Sequence, residues 1–148
     1  MLLSFIKKTY KGMFMKKILL LSALAGSLLF AEGALNKSQM KTMQTLEEAM
    51  GTVQKGFLYN NENVIKSGVK DIKSTLMDVL EFEIKVDPKD QGKDFNAKAY
   101  VATEVTAIGK LATKIEALYT EGKKDEALAT YSKALGRCVV CHKIIRKW

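Results

Sequence analysis

Cys138, Cys141 and His142 are the only cysteines and the only histidine of the 148-residue chain, and they fall within five positions near its end, in "RCVVCHKIIRKW". The order Cys-Val-Val-Cys-His is that of c-type haem attachment. There each cysteine forms a thioether to a haem vinyl group, and the adjacent histidine ligates the iron on one face. Residues i, i+3 and i+4 share one side of a helix, so on a helix all three side chains can meet one flat macrocycle. Competing uses of the residues need more than the sequence supplies. A structural zinc site wants four ligands, and only three soft candidates exist, all on one segment. A thioredoxin-like pair would follow a strand in a βαβ unit, and no convincing alternating strand pattern occurs. A disulfide between Cys138 and Cys141 would close a trivial loop and constrain little. The alternative from another class is a haem-free helical interaction module whose cysteine pair acts as a redox switch.

The elements that must position this motif read as helices. Met43, Leu46, Met50, Val53 and Phe57 step by three and four, as do Ile65, Val69, Ile72, Leu76, Val79 or Leu80, and Ile84, which keeps each set on one helical face. Between them "YNNEN" offers Asn60 or Asn61 as a cap. The segment 86–94, with Pro88 and Gly92, is the one long breaker. Phe95, Ala102, Val105, Ala112, Ile115 and Tyr119 mark a third helix. After "EGKKDEA", a fourth is marked by Ala127, Leu128, Tyr131, Leu135, Cys138, Cys141 and Ile145. Asp125 and Glu126 suit its positive start, and Lys143, Arg146 and Lys147 its negative end. Four amphipathic helices with short connections predict an all-α fold, an antiparallel four-helix bundle with covalent haem on the C-terminal helix.

The chain's first 31 residues are expected to stand outside this domain. "MKKILLLSALAGSLLFAEG" from Met15 combines a basic start, an apolar run over 18–30 and small residues near its end, the architecture of a secretory signal peptide. That run is short of the ~20 residues that span a bilayer. Cleavage is expected after Ala31, Met15 is the better start, and an uncleaved signal anchor is the alternative. The formal charge of +8, from 24 basic and 16 acidic residues, is mostly leader. Lys7, Lys8, Lys11, Lys16 and Lys17 lie there with no acid, so removing five basic residues leaves +3 for residues 32–148. Nucleic-acid binding has no support in that charge. One domain fits the length, and export predicts a periplasmic protein.

A second set of residues lies in the first helix. Met40 is followed by apolar residues three and ten positions on, Met43 and Met50, and by "Lys55-Gly56" sixteen on; the next helix continues in register through Ile65, Val69 and Ile72. Together with "CVVCHKIIRK", this resembles the class II c-type cytochromes, comprising the cytochromes c′ and their low-spin relatives. These are four-helix bundles with the haem motif on the fourth helix. The resemblance covers essentially all of residues 32–148. It implies that Met40 lies over the open haem face opposite His142 as second axial ligand, with Met43 the lesser candidate. It also puts Arg146, four after the histidine, at the family's usual basic position, a haem-edge contact. Asn36 departs from the pattern: the family often has arginine there, so the propionate contact that the arginine would make has no counterpart. With no tryptophan before Trp148, an aromatic haem neighbour would be a phenylalanine or tyrosine such as Phe57 or Tyr131. The bland reading of Met40 is core packing, since methionine is a common gap-filler.

The sixth iron position separates two functions. A Met40 thioether gives a six-coordinate, low-spin haem, favours Fe(II) and suits one-electron transfer. A Met40 that merely packs above the iron leaves a five-coordinate cytochrome c′ open to NO or CO. No second acid–base group accompanies the motif, so the expected role is electron carrier and not enzyme. The partners would be periplasmic redox proteins, and the family's habit of pairing through its first two helices makes a homodimer a further expectation.

Overall fold

The computed structural model describes residues 36–86, Gly92 and 94–147. The expected leader over 1–31, its cleavage point, Pro88 and Trp148 lie outside the described residues. Those described form four helices and no strand: α1 (Lys37–Leu58), α2 (Glu62–Leu80), α3 (Ala97–Thr120) and α4 (Lys124–Arg146). None of them is long and apolar enough to cross a membrane.

Local chemistry sets the helix ends. Asn36 caps α1 in a capping box: its Oδ1 accepts from the Gln39 N–H at 2.9 Å, and Gln39 Oε1 accepts from the Asn36 N–H at 3.1 Å, satisfying two donors that a helix start leaves orphaned. Gln39 Nε2 also donates to the Glu83 carbonyl at 3.1 Å, tying the start of α1 to the segment that follows α2. The cap of α2 is Asn61, whose side chain accepts from the Val64 N–H. Its neighbour Asn60 instead takes φ +50°, and the Asn61 N–H reaches back to the Gly56 carbonyl at 2.9 Å. That is the Schellman closure, with Asn60 in the left-handed position. Gly122 closes α3 the same way at φ +78°, with the Lys123 N–H on the Leu118 carbonyl. Asn96 caps α3. Phe95, expected inside that helix, lies just before it and packs on Tyr100 at 5.7 Å between ring centroids, a hydrophobic staple. Ile84 lies beyond the end of α2.

The core draws on the expected stripes of the first three helices. Leu46, Met50 and Val53 from α1, Ile65, Val69, Ile72, Leu76 and Val79 from α2, and Val105, Ala112, Ile115 and Tyr119 from α3 are buried. Met43 and Phe57 pack against the core from its edge. The backbones of α1 and α2 approach closely at two glycines. A Cβ on Gly56 would come within 2.8 Å of the Ile65 backbone nitrogen, and one on Gly68 within 2.7 Å of the Val53 nitrogen. The "Lys55-Gly56" pair thus has a packing reason: the second position has no room for a side chain.

The fourth helix departs from its expected face. Its buried residues are Ala127, Thr130 and Ala134, all small, whereas Leu128 and Leu135 are each 48 % exposed. The buried line is therefore turned from the one its large apolar residues would draw, and those residues form a flank to it.

Candidate functional site: the C-terminal half of the fourth helix

From Arg137 to Arg146, α4 carries no fully buried residue, although it carries all three soft ligands. Cys138, Cys141 and His142 are half-buried, and both cysteines are free thiols. Seven residues span nearly two helical turns, so Leu128, Leu135 and His142 follow one another along one flank, and Tyr131 and Cys138 run beside them. From this side of α4, Tyr131 reaches α1. Tyr131 donates its hydroxyl to the Met50 carbonyl at 3.3 Å and stands edge-on to Phe57 at 5.8 Å, while Phe57 in turn meets Tyr119 at 5.5 Å. The two aromatic residues expected as haem neighbours are thus brought into contact, two turns before Cys138. On α1, Met40 is 51 % exposed, and Met43 packs against the core edge. Half-exposed Met40, Leu128 and Leu135 make apolar surface that the helices do not cover for one another.

The opposite flank of α4 meets α3. Arg137 Nη1 donates to Glu104 Oε1 at 2.9 Å, with the arginine side chain 48 % and the glutamate side chain 6 % exposed. Glu104 Oε2 and the Tyr100 hydroxyl, one turn apart on α3, are buried with no hydrogen-bond partner among the described residues. A carboxylate on a core face was not anticipated from the sequence. The signal was present, since Glu104 falls between Val101, Val105 and Ile108 at helical spacing, on the buried side.

Burial governs the protonation of the motif. It pushes the Cys141 thiol up to about 11, helped by Glu104 and Cys138, and raises Cys138 too, with Glu104 adding to it. Burial first, and the Arg146 charge second, depress His142. Both sulfurs are therefore held as thiols and the imidazole as its neutral, ligating form. Thiol-based redox sensors need the reverse, an accessible cysteine of lowered pKa. Arg146 itself is exposed in the last turn of α4. Among the described residues, no cluster of three or more His, Cys, Asp or Glu side chains could hold a metal ion by itself.

The chain was compared with known protein families, curated proteins and solved structures, and no match was found.

Proposed function

We propose that this chain is a periplasmic monohaem cytochrome of the class II type, an antiparallel four-helix bundle that carries single electrons. One observation carries the reading. The half-helix that bears Cys138, Cys141 and His142 buries none of its residues fully, and beside it Leu128 and Leu135, with Met40 on α1, leave apolar surface uncovered. Half-exposed leucines in a domain this size are ordinary singly; aligned beside a Cys-X-X-Cys-His motif they fit a flat apolar group that supplies the missing cover. The bundle arrangement is supported by the three-residue links at 59–61 and 121–123 and by contacts such as Gln39 to Glu83, which bring the start of one helix beside the end of the next.

The residues present fit the group. Cys138 and Cys141 would hold haem c through thioethers, and each sits in the protonated S–H form that adds across a vinyl double bond. His142, neutral, would ligate the iron, and Arg146 would add a positive charge near the group. When bound, haem c supplies a one-electron iron couple. Tyr131 and Phe57 would exclude water from the inner end of the site. A protein donor and acceptor in the same compartment would complete the transfer, and a second copy pairing through α1 and α2 would follow the family's habit.

The same surface favours a second reading. Met40 is half exposed, an arrangement that also suits a five-coordinate haem open to NO or CO. Visible spectra of the purified protein in both oxidation states decide between them. The electron-carrier reading expects low-spin bands, no uptake of carbon monoxide by the reduced form, and conversion to high spin in Met40→Ala. High-spin bands with ready carbon monoxide binding in the unaltered protein would replace it with the gas-binding reading.

A further inference from the structure

Of all the charged side chains in the described bundle, Glu104 is the one enclosed by the core, and it lies against the turn of α4 that begins the attachment motif. Arg137, its partner, directly precedes Cys138 and stands four residues, one turn, before Cys141. We propose that Glu104 is the positioning residue that sets the reduction potential of the haem held by Cys138 and Cys141, by fixing a buried negative charge beside the attachment edge. The inference rests on the haem reading above.

The ion pair does not cancel itself at that edge. Arg137 is half in water, where its charge is strongly screened, whereas the Glu104 side chain is almost wholly enclosed. The same charge acts several-fold more strongly through a low-dielectric interior than through water. The field left over is therefore negative. Glu104 Oε2 sharpens this, because no donor among the described residues hydrogen-bonds to it. One electron arriving from a protein donor lowers the positive charge of the couple by one, with no bond made or broken. A fixed negative charge nearby accordingly favours the oxidised state and lowers the potential. In this way α3 would offset the upward pull of a methionine ligand.

The test is a spectroelectrochemical titration of the full-length protein carrying its haem, with Glu104→Gln, Glu104→Met and Glu104→Asp. Gln keeps the shape and an acceptor for Arg137. Met suits the buried position should Gln fail to fold. Both neutral variants are expected to raise the midpoint potential, by up to about tenfold in the reduced-to-oxidised ratio, or about 59 mV for a one-electron couple. Asp, which keeps the charge, is expected to stay on the side of the unaltered protein. A folded neutral variant with unchanged potential and an unchanged spectrum would overturn the inference while leaving the cytochrome reading intact. A shift in Asp as large as that in the neutral variants would also overturn it, since packing and not charge would then be the cause. If the unaltered protein holds no covalent haem, the functional reading falls and this inference falls with it.

Discussion

Cys141 shows how much of the site is decided by the surroundings of one atom. A free cysteine titrates near 9, and enclosure lifts this one to about 11. Between those values the unfolded chain has lost the proton that the folded chain keeps, so the haem-free protein loses stability as pH rises from about 9 toward 11. Thermal denaturation across that range should show a decline that is smaller in Cys141→Ser; an identical decline in both would remove Cys141 as its source. A thioether at this position would have no proton to lose, and this component would vanish. Single residues also mark where sequence reading reached and where it stopped. The fourth helix does carry Cys138, Cys141 and His142 together, each half-buried, and their grouping on one helical segment was legible from their spacing. Glu104 was not, because a charge on a helix is ordinarily a solvated one, and only the burial of its neighbours Val101, Val105 and Ile108 draws it inside. Asn36, read as the absence of an arginine, has a positive role that local sequence already hinted at: with Gln39 three residues later it forms the capping box of α1.

Among the elements, the pairing of α1 with α2 makes the sharpest demand on sequence. Gly56 and Gly68 lie where the partner backbone leaves no space for a Cβ, whereas Gly51, in the same helix as Gly56, has nothing within 4 Å of the position a Cβ would take. Gly56→Ala and Gly68→Ala should each cost about 1–3 kcal/mol through overpacking. Gly51→Ala should instead stabilise the protein, by up to about 1 kcal/mol, because alanine is the better helix former. Chemical denaturation measures all three, and a stabilising Gly56→Ala would show that the two helices have room to part. The stripes of α1, α2 and most of α3 were readable since their large apolar residues recur at threes and fours and end up inside. The face of α4 was not. Its inward line is made of Ala127, Thr130 and Ala134, residues too small to dominate a hydrophobic pattern, while Leu128 and Leu135 dominate the pattern and remain half in water. Read as core, those leucines mislead; read as lining for a bound group, they agree with the motif two turns on.

For the whole molecule, the proposed function joins the charge, the signal-like first segment and the motif. The basic excess of +8 lies mainly in the first 31 residues, which match an export signal, and the remaining chain is close to neutral for its size. On the proposed reading, export would bring the motif to a compartment in which a covalently held haem is worth having, since a cofactor bound through two thioethers is not lost by dissociation. The protein recovered from the periplasm is expected to begin after Ala31, as N-terminal sequencing would show, and a retained leader there would point to the anchored alternative. The central claim is that Cys138 and Cys141 together hold one haem. Its most direct measurement is the intact mass, with haem staining on a denaturing gel, of the full-length protein expressed alongside a cytochrome c maturation system. The account predicts a mass increased by a single haem that survives denaturation, and no retained haem when both cysteines are replaced by serine. A chain at its bare mass, or haem retained without the two cysteines, would contradict it.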